Sequence, residues 1–315
     1  MASESRRTIW VAFAANLSIA AAKLAAGLIG GSTAMLAEAA HSLADTMNQV
    51  FLLVSLQLGE RPPDEDHPFG HGKERFFWAL LAAVFIFVSG AVFSLIEGLR
   101  ALLSGEALDV GYPLTYAVLV FSLLAEGWSL LRAFRQARGE AAAAGTPLRV
   151  YLRQSNDPTL RTVMFEDSAA VTGVLLALLG VGLHQLTGQA FWDPAASVAI
   201  GVLLAVVALS LGRYTKGLLI GEAARPEQRE AMRRAILAHP GVEDVLELLT
   251  MYLGPTSLLV AVRVDLRDDI SSQDVEQLSN RIDRDLRQVV GEVEQVFVDA
   301  TPRQPRRAVP SPPAG

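Results

Sequence analysis

The sequence predicts an α-helical membrane protein, with six transmembrane helices followed by a cytoplasmic α-β-β-α-β domain. The first observation is the composition: of 315 residues, 51% are hydrophobic and 19% are charged, with a mean hydropathy of +0.33. This balance is typical of a chain that has several membrane spans and a soluble part. The second observation is a change of pattern near residue 220, where long apolar runs give way to short amphipathic segments. We therefore expect a transmembrane domain at 1–220, a C-terminal domain at 221–301 and a disordered tail at 302–315.

The expected spans are apolar runs, each long enough to cross a bilayer, which needs about 20 residues. They lie at about residues 8–30, 32–59, 76–103, 113–137, 158–186 and 192–219. A Gly-Gly turn separates the first two, and a polar loop at 60–75 follows the second. An even number of spans places both termini on the same side of the membrane.

The basic residues of the connections indicate which side is cytoplasmic. Six of them follow the second and fourth spans, namely Arg61, Lys73, Arg75, Arg138, Arg149 and Arg153. By the positive-inside rule these connections, and hence both termini, are cytoplasmic. The Ala- and Arg-rich usage points to a bacterium, so the expected location is the bacterial plasma (inner) membrane. The net charge is −6 and there is no basic cluster, which argues against a nucleic-acid partner.

The pattern after residue 220 predicts a small α+β domain. A helix is expected at 226–239, strands at 242–253 and 257–266, a helix from Ser271 to about Val290 and a last strand at 293–298. Partial alternation of apolar side chains in the second of these strands favours a half-buried strand. Ser271 followed by Asp274 is a helix-capping pattern. About 80 residues are enough for a small domain with its own core.

Three ionisable side chains within the second apolar run form the first candidate site. His41 and Asp45 are four residues apart, so they lie on one face of a helix, and Glu38 joins the same stripe one turn earlier. Ionisable groups inside a membrane are costly unless they face a cavity, a partner or an ion. The chain has no cysteine, so a metal must be held by His, Asp and Glu. We interpret this stretch as half of a transport site.

Two further stretches carry a resemblance to a known family. The loop at 61–74 reads Arg-Pro-Pro-Asp-Glu-Asp-His-Pro-Phe-Gly-His-Gly-Lys-Glu, and residues 165–170 in the fifth span read Phe-Glu-Asp-Ser-Ala-Ala. With the motif at 38–45, the six spans and the C-terminal unit, they resemble the cation diffusion facilitator family, and within it the branch that contains the vertebrate mitochondrial zinc transporter. The resemblance implies a homodimeric divalent-cation/proton antiporter in the lipid bilayer. Zn²⁺ is then the transported substrate, with no prosthetic group and no enzymatic activity.

The resemblance also implies a site in which two helices each provide two ligands in an X-x-x-x-Asp pattern. His41 and Asp45 fit the first pair, and Asp167, followed six residues later by Gly173, fits the spacing of the second. Four residues before Asp167, where the family usually has His or Asp, this sequence has Val163. A valine cannot bind a cation, so the expected set of four ligands is one short.

Three replacements for the missing ligand are open. Glu166 ranks first, although it lies about 100° round the helix from Asp167 and needs a local distortion to share the ion. Glu38 is the second, about 10 Å along the helix axis from Asp45. Water or Asn48 is the third, because a transport site must release its ion and need not be closed.

The polar loop contains the second candidate site. Asp64, His67 and His71 are spaced i, i+3 and i+7, and a compact turn containing Pro68 and Gly70 would bring them together. These three residues resemble a cytoplasmic loop site for zinc that is found in the family. The alternative is a solvated acidic loop that attracts cations loosely. These ligand types suit Zn²⁺, while the carboxylates also admit Mn²⁺, Fe²⁺ or Co²⁺.

The C-terminal domain departs from the pattern of some family members, which carry histidines on its strands. This chain has Val245, Arg263 and Val298 or Asp299 at those places. We therefore expect a homodimer held by apolar and polar contacts, without a binuclear metal cluster.

Other interpretations of the intramembrane polar residues are weaker. Such side chains can tie helices together by hydrogen bonds, and Lys23 is expected either to pack in the interior or to form a salt bridge with one of the carboxylates. A membrane metalloenzyme is disfavoured because the sequence has no His-Glu-x-x-His motif. A membrane scaffold acting through its soluble domain leaves the buried ionisable groups unexplained. Because imidazole binds metal only when neutral and carboxylates only when ionised, proton-coupled export by alternating access fits the residues.

Overall fold

The computed structural model describes residues 2–104, 111–143, 145–148, 151 and 158–301, with side chains described throughout except at 2–12, 15 and 158–163. The described residues form two compact units, which meet between residues 219 and 220 of the chain. The tail predicted at 302–315 lies outside the described residues.

The described part of the first unit consists of long helices. They are α1 (Ala2–Gly30), α2 (Thr33–Gly59), α3 (Glu74–Phe85), α4 (Phe93–Ser104), α5 (Tyr112–Ala143), α6 (Pro158–Thr187) and α7 (Trp192–Ile220). A π-helical segment, Ile86–Val92, joins α3 to α4, so the third apolar run is one continuous helical rod from Glu74 to Ser104. The helix α5 extends past the predicted end of the fourth span by about two turns.

Small side chains allow the helices of this unit to pack closely. Its buried cluster is rich in alanine, including Ala26, Ala34, Ala37, Ala91, Ala177 and Ala196. A Cβ atom placed on Gly27 of α1 would lie 2.7 Å from Leu36 Cδ2 of α2, and one on Gly98 of α4 would lie 2.8 Å from Val198 Cγ2 of α7. Close approach at small residues is typical of helix packing in membranes, where apolar burial by itself gives little drive for association.

Asp193 in the first turn of α7 binds the N-terminal end of α2. Its Oδ2 accepts hydrogen bonds from the backbone N–H of Thr33 at 2.6 Å and from Thr33 Oγ1 at 2.9 Å. Its Oδ1 accepts from Ser32 Oγ at 2.6 Å, and Ser32 Oγ in turn accepts from the N–H of Met35. A carboxylate here satisfies donors that a helix start leaves unpaired. The start of α2 is thereby fixed against α7.

Four helices of the described chain are long and apolar enough to cross a membrane: Glu74–Ser104, Tyr112–Ala143, Met164–Thr187 and Trp192–Ile220. The apolar part of α1, Asn16–Gly30, is shorter. The prediction of a helical membrane domain is confirmed. That α1 and α2 also cross the membrane stays a prediction.

The second unit has the order α8 (Pro226–Leu237), β1 (Val242–Gly254), β2 (Ser257–Leu266), α9 (Ser272–Val289) and β3 (Val293–Asp299). The strands form one sheet in the order β1-β2-β3, with β1 and β2 antiparallel and β2 and β3 parallel. Alternate residues of β2 are buried, as the sequence predicts, and α9 buries Leu278, Ile282 and Leu286 on one face. The predicted C-terminal domain with a small sheet is confirmed.

Candidate metal sites

His41 and Asp45 lie next to each other on the buried face of α2. His41 Nε2 is 3.6 Å from Asp45 Oδ2, and the side chains are 3% and 25% exposed. Both ring nitrogens of His41 and Asp45 Oδ1 are buried without a hydrogen-bond partner in the described part of the chain. Buried polar atoms of this kind are costly. They are also the atoms that a metal cation binds.

The helix α6 presents two neighbouring carboxylates to different helices. Asp167 Oδ2 accepts a hydrogen bond from Ser129 Oγ of α5 at 2.9 Å. Glu166 Oε1 and Oε2 both accept from Asn48 Nδ2 of α2, at 2.9 and 2.8 Å. Asp45 is close enough to both carboxylates for their charges to interact. Glu166 therefore faces α2, the helix that carries His41 and Asp45.

The proposed intramembrane ligands do not converge on one point in this structure. Among the described residues, only the loop group formed by Asp64, His67 and His71 has three or more metal-binding side chains with ligand atoms within 4.8 Å of one another. His41, Asp45 and Asp167 are therefore not drawn together around a common point. The side chain of Val163 lies outside the described residues. The assignment of these ligands stays a prediction.

A buried charged cluster next to this site was only partly anticipated by the sequence. Lys23 of α1 is fully buried, and its Nζ lies 2.9 Å from Glu38 Oε2 of α2 and 2.6 Å from Glu126 Oε1 of α5. The salt bridge from Lys23 to one carboxylate was one of the two expected arrangements. Glu126 was not singled out, although a carboxylate within an otherwise apolar run was a signal for it. Glu38 Oε1 and Glu126 Oε2 have no partner among the described residues.

Glu38 also explains why a glycine is needed in α6. A Cβ atom on Gly173 would lie only 2.3 Å from Glu38 Oε1, so α6 passes directly over the carboxylate. Gly173 thus allows α6 to pack directly against the Glu38 side chain of α2. Lys23 holds Glu38 Oε2 at 2.9 Å, which argues against Glu38 as the missing ligand.

The loop between α2 and α3 brings its three candidate ligands together. Asp64 Oδ1 accepts a hydrogen bond from the N–H of His67 at 2.7 Å, and Asp64 Oδ2 lies 2.9 Å from His71 Nε2. The rings of His67 and His71 are 4.3 Å apart between centroids. Gly70 adopts a φ of +79°, a left-handed conformation that turns the chain back between the two histidines.

The carboxyl group of Asp64 is prepared for a cation. The hydrogen bond with His71 and the backbone N–H of His67 lower the pKa of Asp64 from its ordinary 3.8 to about 2. The side chain of Asp64 is about half exposed, and hydrogen bonding is the main cause of the low pKa. A permanently ionised carboxylate beside two imidazoles is a donor set that suits Zn²⁺.

The strands of the C-terminal unit carry an ionic contact where some family members have histidines. Arg263 Nε of β2 lies 2.8 Å from Asp299 Oδ2 of β3, and Arg263 Nη1 lies 3.7 Å from Glu247 Oε2 of β1. A guanidinium has no lone pair for a metal. The described residues here form charge pairs across the sheet, and the expectation of a dimer without a binuclear metal cluster stays a prediction.

Comparison with known proteins gives matches along nearly the whole chain. Residues 9–220 match the family model described as "Cation efflux transmembrane domain", and residues 224–303 match "Cation efflux protein, cytoplasmic domain". The chain is 32% identical over 266 residues to "Proton-coupled zinc antiporter SLC30A9, mitochondrial" of Xenopus laevis, covering 82% of this chain and 47% of that protein. It is 31% identical over 269 residues to "Metal tolerance protein C4" of Arabidopsis thaliana, covering 85% and 59%.

A bacterial relative matches over almost its full length. "Manganese efflux system protein MneP" of Bacillus subtilis is 27% identical over 307 residues, covering 96% of this chain and 99% of that protein. By contrast, the chain spans only about half the length of the first curated relatives it matches.

Proposed function

The chain belongs to the cation efflux, or cation diffusion facilitator, family, and from this premise we propose that it exports a divalent metal cation, first of all Zn²⁺, in exchange for protons. The family is one of transporters and not of enzymes, as the sequence predicted. Its relatives include proteins named for zinc and for manganese, so Mn²⁺ is the second candidate, followed by Fe²⁺ and Co²⁺.

The observation that carries this proposal is the buried His41–Asp45 pair with its unpartnered metal-binding atoms. Three such atoms on one face of α2, next to the carboxylates of α6, have no hydrogen-bond partner among the described residues. A transported cation would supply that partner. His41, Asp45 and Asp167 are the proposed ligands, and Glu166, held on the α2 side by Asn48, is the proposed replacement for the ligand missing at 163.

Proton coupling follows from the chemistry of these ligands. An imidazole binds metal only when it is neutral and a carboxylate only when it is ionised, so binding of the cation releases protons. Protonation from the opposite side of the membrane then weakens the hold on the cation. A proton gradient can drive export in this way if the site opens alternately to each side.

The packing of the helix ends supports spans that alternate in direction, and the positive-inside rule then places both termini in the cytoplasm. The carbonyl of Gly30, at the end of α1, accepts a hydrogen bond from the N–H of Gly111, just before α5. The start of α2 is bound to Asp193 at the start of α7, and Gly98, in the second half of the rod Glu74–Ser104, packs on the same part of α7. The end of α1 and the second half of this rod thus lie near the starts of α2, α5 and α7. This is the arrangement expected if each helix crosses the membrane in the direction opposite to its neighbour in sequence.

The loop and the C-terminal unit have supporting roles in this proposal. Asp64, His67 and His71 form a cytoplasmic site that takes up Zn²⁺ near the entrance. Replacement of Asp64 and His71 by alanine should remove about one bound zinc ion per chain in equilibrium dialysis.

The C-terminal unit holds two copies of the chain together in the bacterial plasma membrane. A scaffold acting through its soluble domain is the rival class, and it gives no reason for the unpartnered atoms around His41.

Uptake into proteoliposomes with an imposed pH gradient tests the proposal. Zn²⁺ and Mn²⁺ uptake by the wild type is compared with that of Asp45→Ala, Asp167→Ala and Glu166→Ala. Glu97→Gln in α4 is the matched control, because this carboxylate lies 4.0 Å from Arg100 on the same helix and is remote in the sequence from the ligands. If zinc uptake depends on the pH gradient and is lost in all three variants, the antiporter proposal is supported and Glu166 is identified as a ligand. Normal transport by Asp45→Ala would refute the two-helix site.

A further inference from the structure

We propose that Glu38 is a positioning residue for His41: it accepts a hydrogen bond from His41 Nδ1 when the cation binds at Nε2, while Lys23 and Glu126 hold Glu38 in place. This inference rests on the proposed function, because it takes His41 as a ligand of the transported cation. It assigns a role to a charged cluster that joins α1, α2 and α5 and that the two-helix site does not use.

The orientation of His41 decides which nitrogen is free for the cation. Its Nε2 is on the Asp45 side, 3.6 Å from Oδ2, so Nε2 is the atom directed at the proposed ligand group. The Nδ1 atom is nearer the backbone and has no partner among the described residues. A helical side chain leans toward the N-terminal turn of its helix. For His41 that turn carries Glu38, three residues earlier.

Glu38 has one carboxylate oxygen in use and one available. Oε2 is 2.9 Å from Lys23 Nζ, whereas Oε1 is buried without a hydrogen-bond partner in the described chain. A free acceptor and a free ring nitrogen therefore occupy adjacent turns of one helix, at the spacing at which side chains meet.

Lys23 and Glu126 make the position of Glu38 rigid. Lys23 is fully buried and its Nζ bridges the two carboxylates, at 2.9 Å to Glu38 and 2.6 Å to Glu126. With both carboxylates ionised and Lys23 protonated, the cluster would have a net charge of −1. Such a charge near His41 would favour a bound cation over an empty site.

The arrangement matches a general feature of metal sites. A metal-binding histidine commonly donates its other N–H to a carboxylate, which fixes the ring and increases the basicity of the ligand nitrogen. The unpartnered Oε1 is explained if the hydrogen bond forms in the cation-bound state.

Zinc binding to the full chain, purified in detergent, tests this role. The background carries Asp64→Ala and His71→Ala, so that the loop does not contribute to binding. We expect Glu38→Ala to weaken zinc binding by about 10- to 100-fold. Glu38→Gln should recover part of this loss, because its side-chain oxygen can still accept from Nδ1. Glu126→Gln should weaken binding in the same direction by a smaller factor, and Glu97→Gln should leave it unchanged.

The imidazole ¹⁵N and ¹H signals of His41 are assigned by comparison with His41→Asn. They distinguish the positioning role from a purely structural role of Glu38, which would leave these signals unchanged. In the zinc-bound protein Nδ1 should be protonated and hydrogen-bonded, and this signature should disappear in Glu38→Ala. Size-exclusion profiles identify variants that do not fold. If Glu38→Ala does not fold, the zinc affinities of Glu38→Gln and Glu126→Gln decide whether Glu38 positions His41. The positioning role is wrong if the folded Glu38 and Glu126 variants bind zinc as the wild type does while Asp45→Ala does not. If Asp45→Ala also binds normally, the proposed transport site itself is wrong.

Discussion

Asn48 and Glu166 join α2 to α6 through a single amide, whose nitrogen lies 2.9 and 2.8 Å from the two carboxylate oxygens. This contact lies on the same stripe of α2 as His41 and Asp45, one turn further toward the end of the helix. It holds Glu166 on the α2 side, while Asp167 beside it is bound to α5. The two helices proposed to share the cation are therefore already connected next to the site.

Breaking that connection should weaken transport more than folding. In Asn48→Leu the Glu166 carboxylate loses its donor, so we expect it to leave the α2 side and the KM for zinc to rise about tenfold, which corresponds to the loss of about 1.4 kcal/mol of binding. Asn48→Asp should be worse, because it places two carboxylates against each other. The measurement is zinc uptake into proteoliposomes as a function of zinc concentration. An unchanged KM in both variants would mean that Glu166 does not act at the site.

The charge of Asp64 should survive in unusually acidic solution. Its pKa of about 2 lies below the ordinary 3.8, so its contribution to loop order is complete above about pH 3.8 and is lost as the pH falls through about 2. The carboxyl ¹³C signal of Asp64, followed in aspartate-labelled protein, should titrate near the lower value. In His71→Ala the titration should return toward the ordinary value, because the largest cause of the shift is removed. The same midpoint in both proteins would contradict the hydrogen-bonded loop.

Asp193 should be important for stability without being a ligand. It is 1% exposed, and its carboxylate accepts hydrogen bonds from the N–H and Oγ1 of Thr33 and from Ser32 Oγ. Asp193→Ala leaves these buried donors unpaired, so we expect a loss of about 1–3 kcal/mol of stability. Thermal unfolding in detergent gives the readout, with Glu97→Gln in α4 as a carboxylate control. The affinity for zinc of the folded fraction should not change; a large change would place Asp193 in the transport machinery.

The sequence predicted the features that depend on local spacing. The shared face of His41 and Asp45 follows from the helical repeat, and the closeness of Asp64, His67 and His71 follows from a short loop with a glycine turn. The α-β-β-α-β order was visible because alternation and capping are also local signals. These are patterns within about ten residues of chain.

Contacts between distant segments could not be predicted in the same way. Lys23 and Glu126 are 103 residues apart, and Asp193 is 161 residues from Ser32. Which charged side chains meet inside the bundle depends on how the helices rotate and pack, and no local pattern fixes that. The π-helical segment at Ile86–Val92 similarly has no signal in its apolar sequence. The different partners of Glu166 and Asp167 also became clear only with the neighbouring helices in place.

A methyl group at position 173 should disturb the site through Glu38. In Gly173→Ala the new Cβ would lie 2.3 Å from Glu38 Oε1, and the carboxylate cannot simply move away because Lys23 holds its other oxygen at 2.9 Å. Either α6 shifts away from α2 or the Lys23 contact is broken, and both displace the groups around His41. We therefore expect zinc binding to weaken about tenfold or more, with a corresponding rise in the KM of uptake. Gly127→Ala in α5 is the matched control, since nothing lies within 4 Å of its added Cβ and alanine is otherwise the better helix former. Equal zinc affinity in the two alanine variants would show that close contact between α6 and Glu38 has no part in binding.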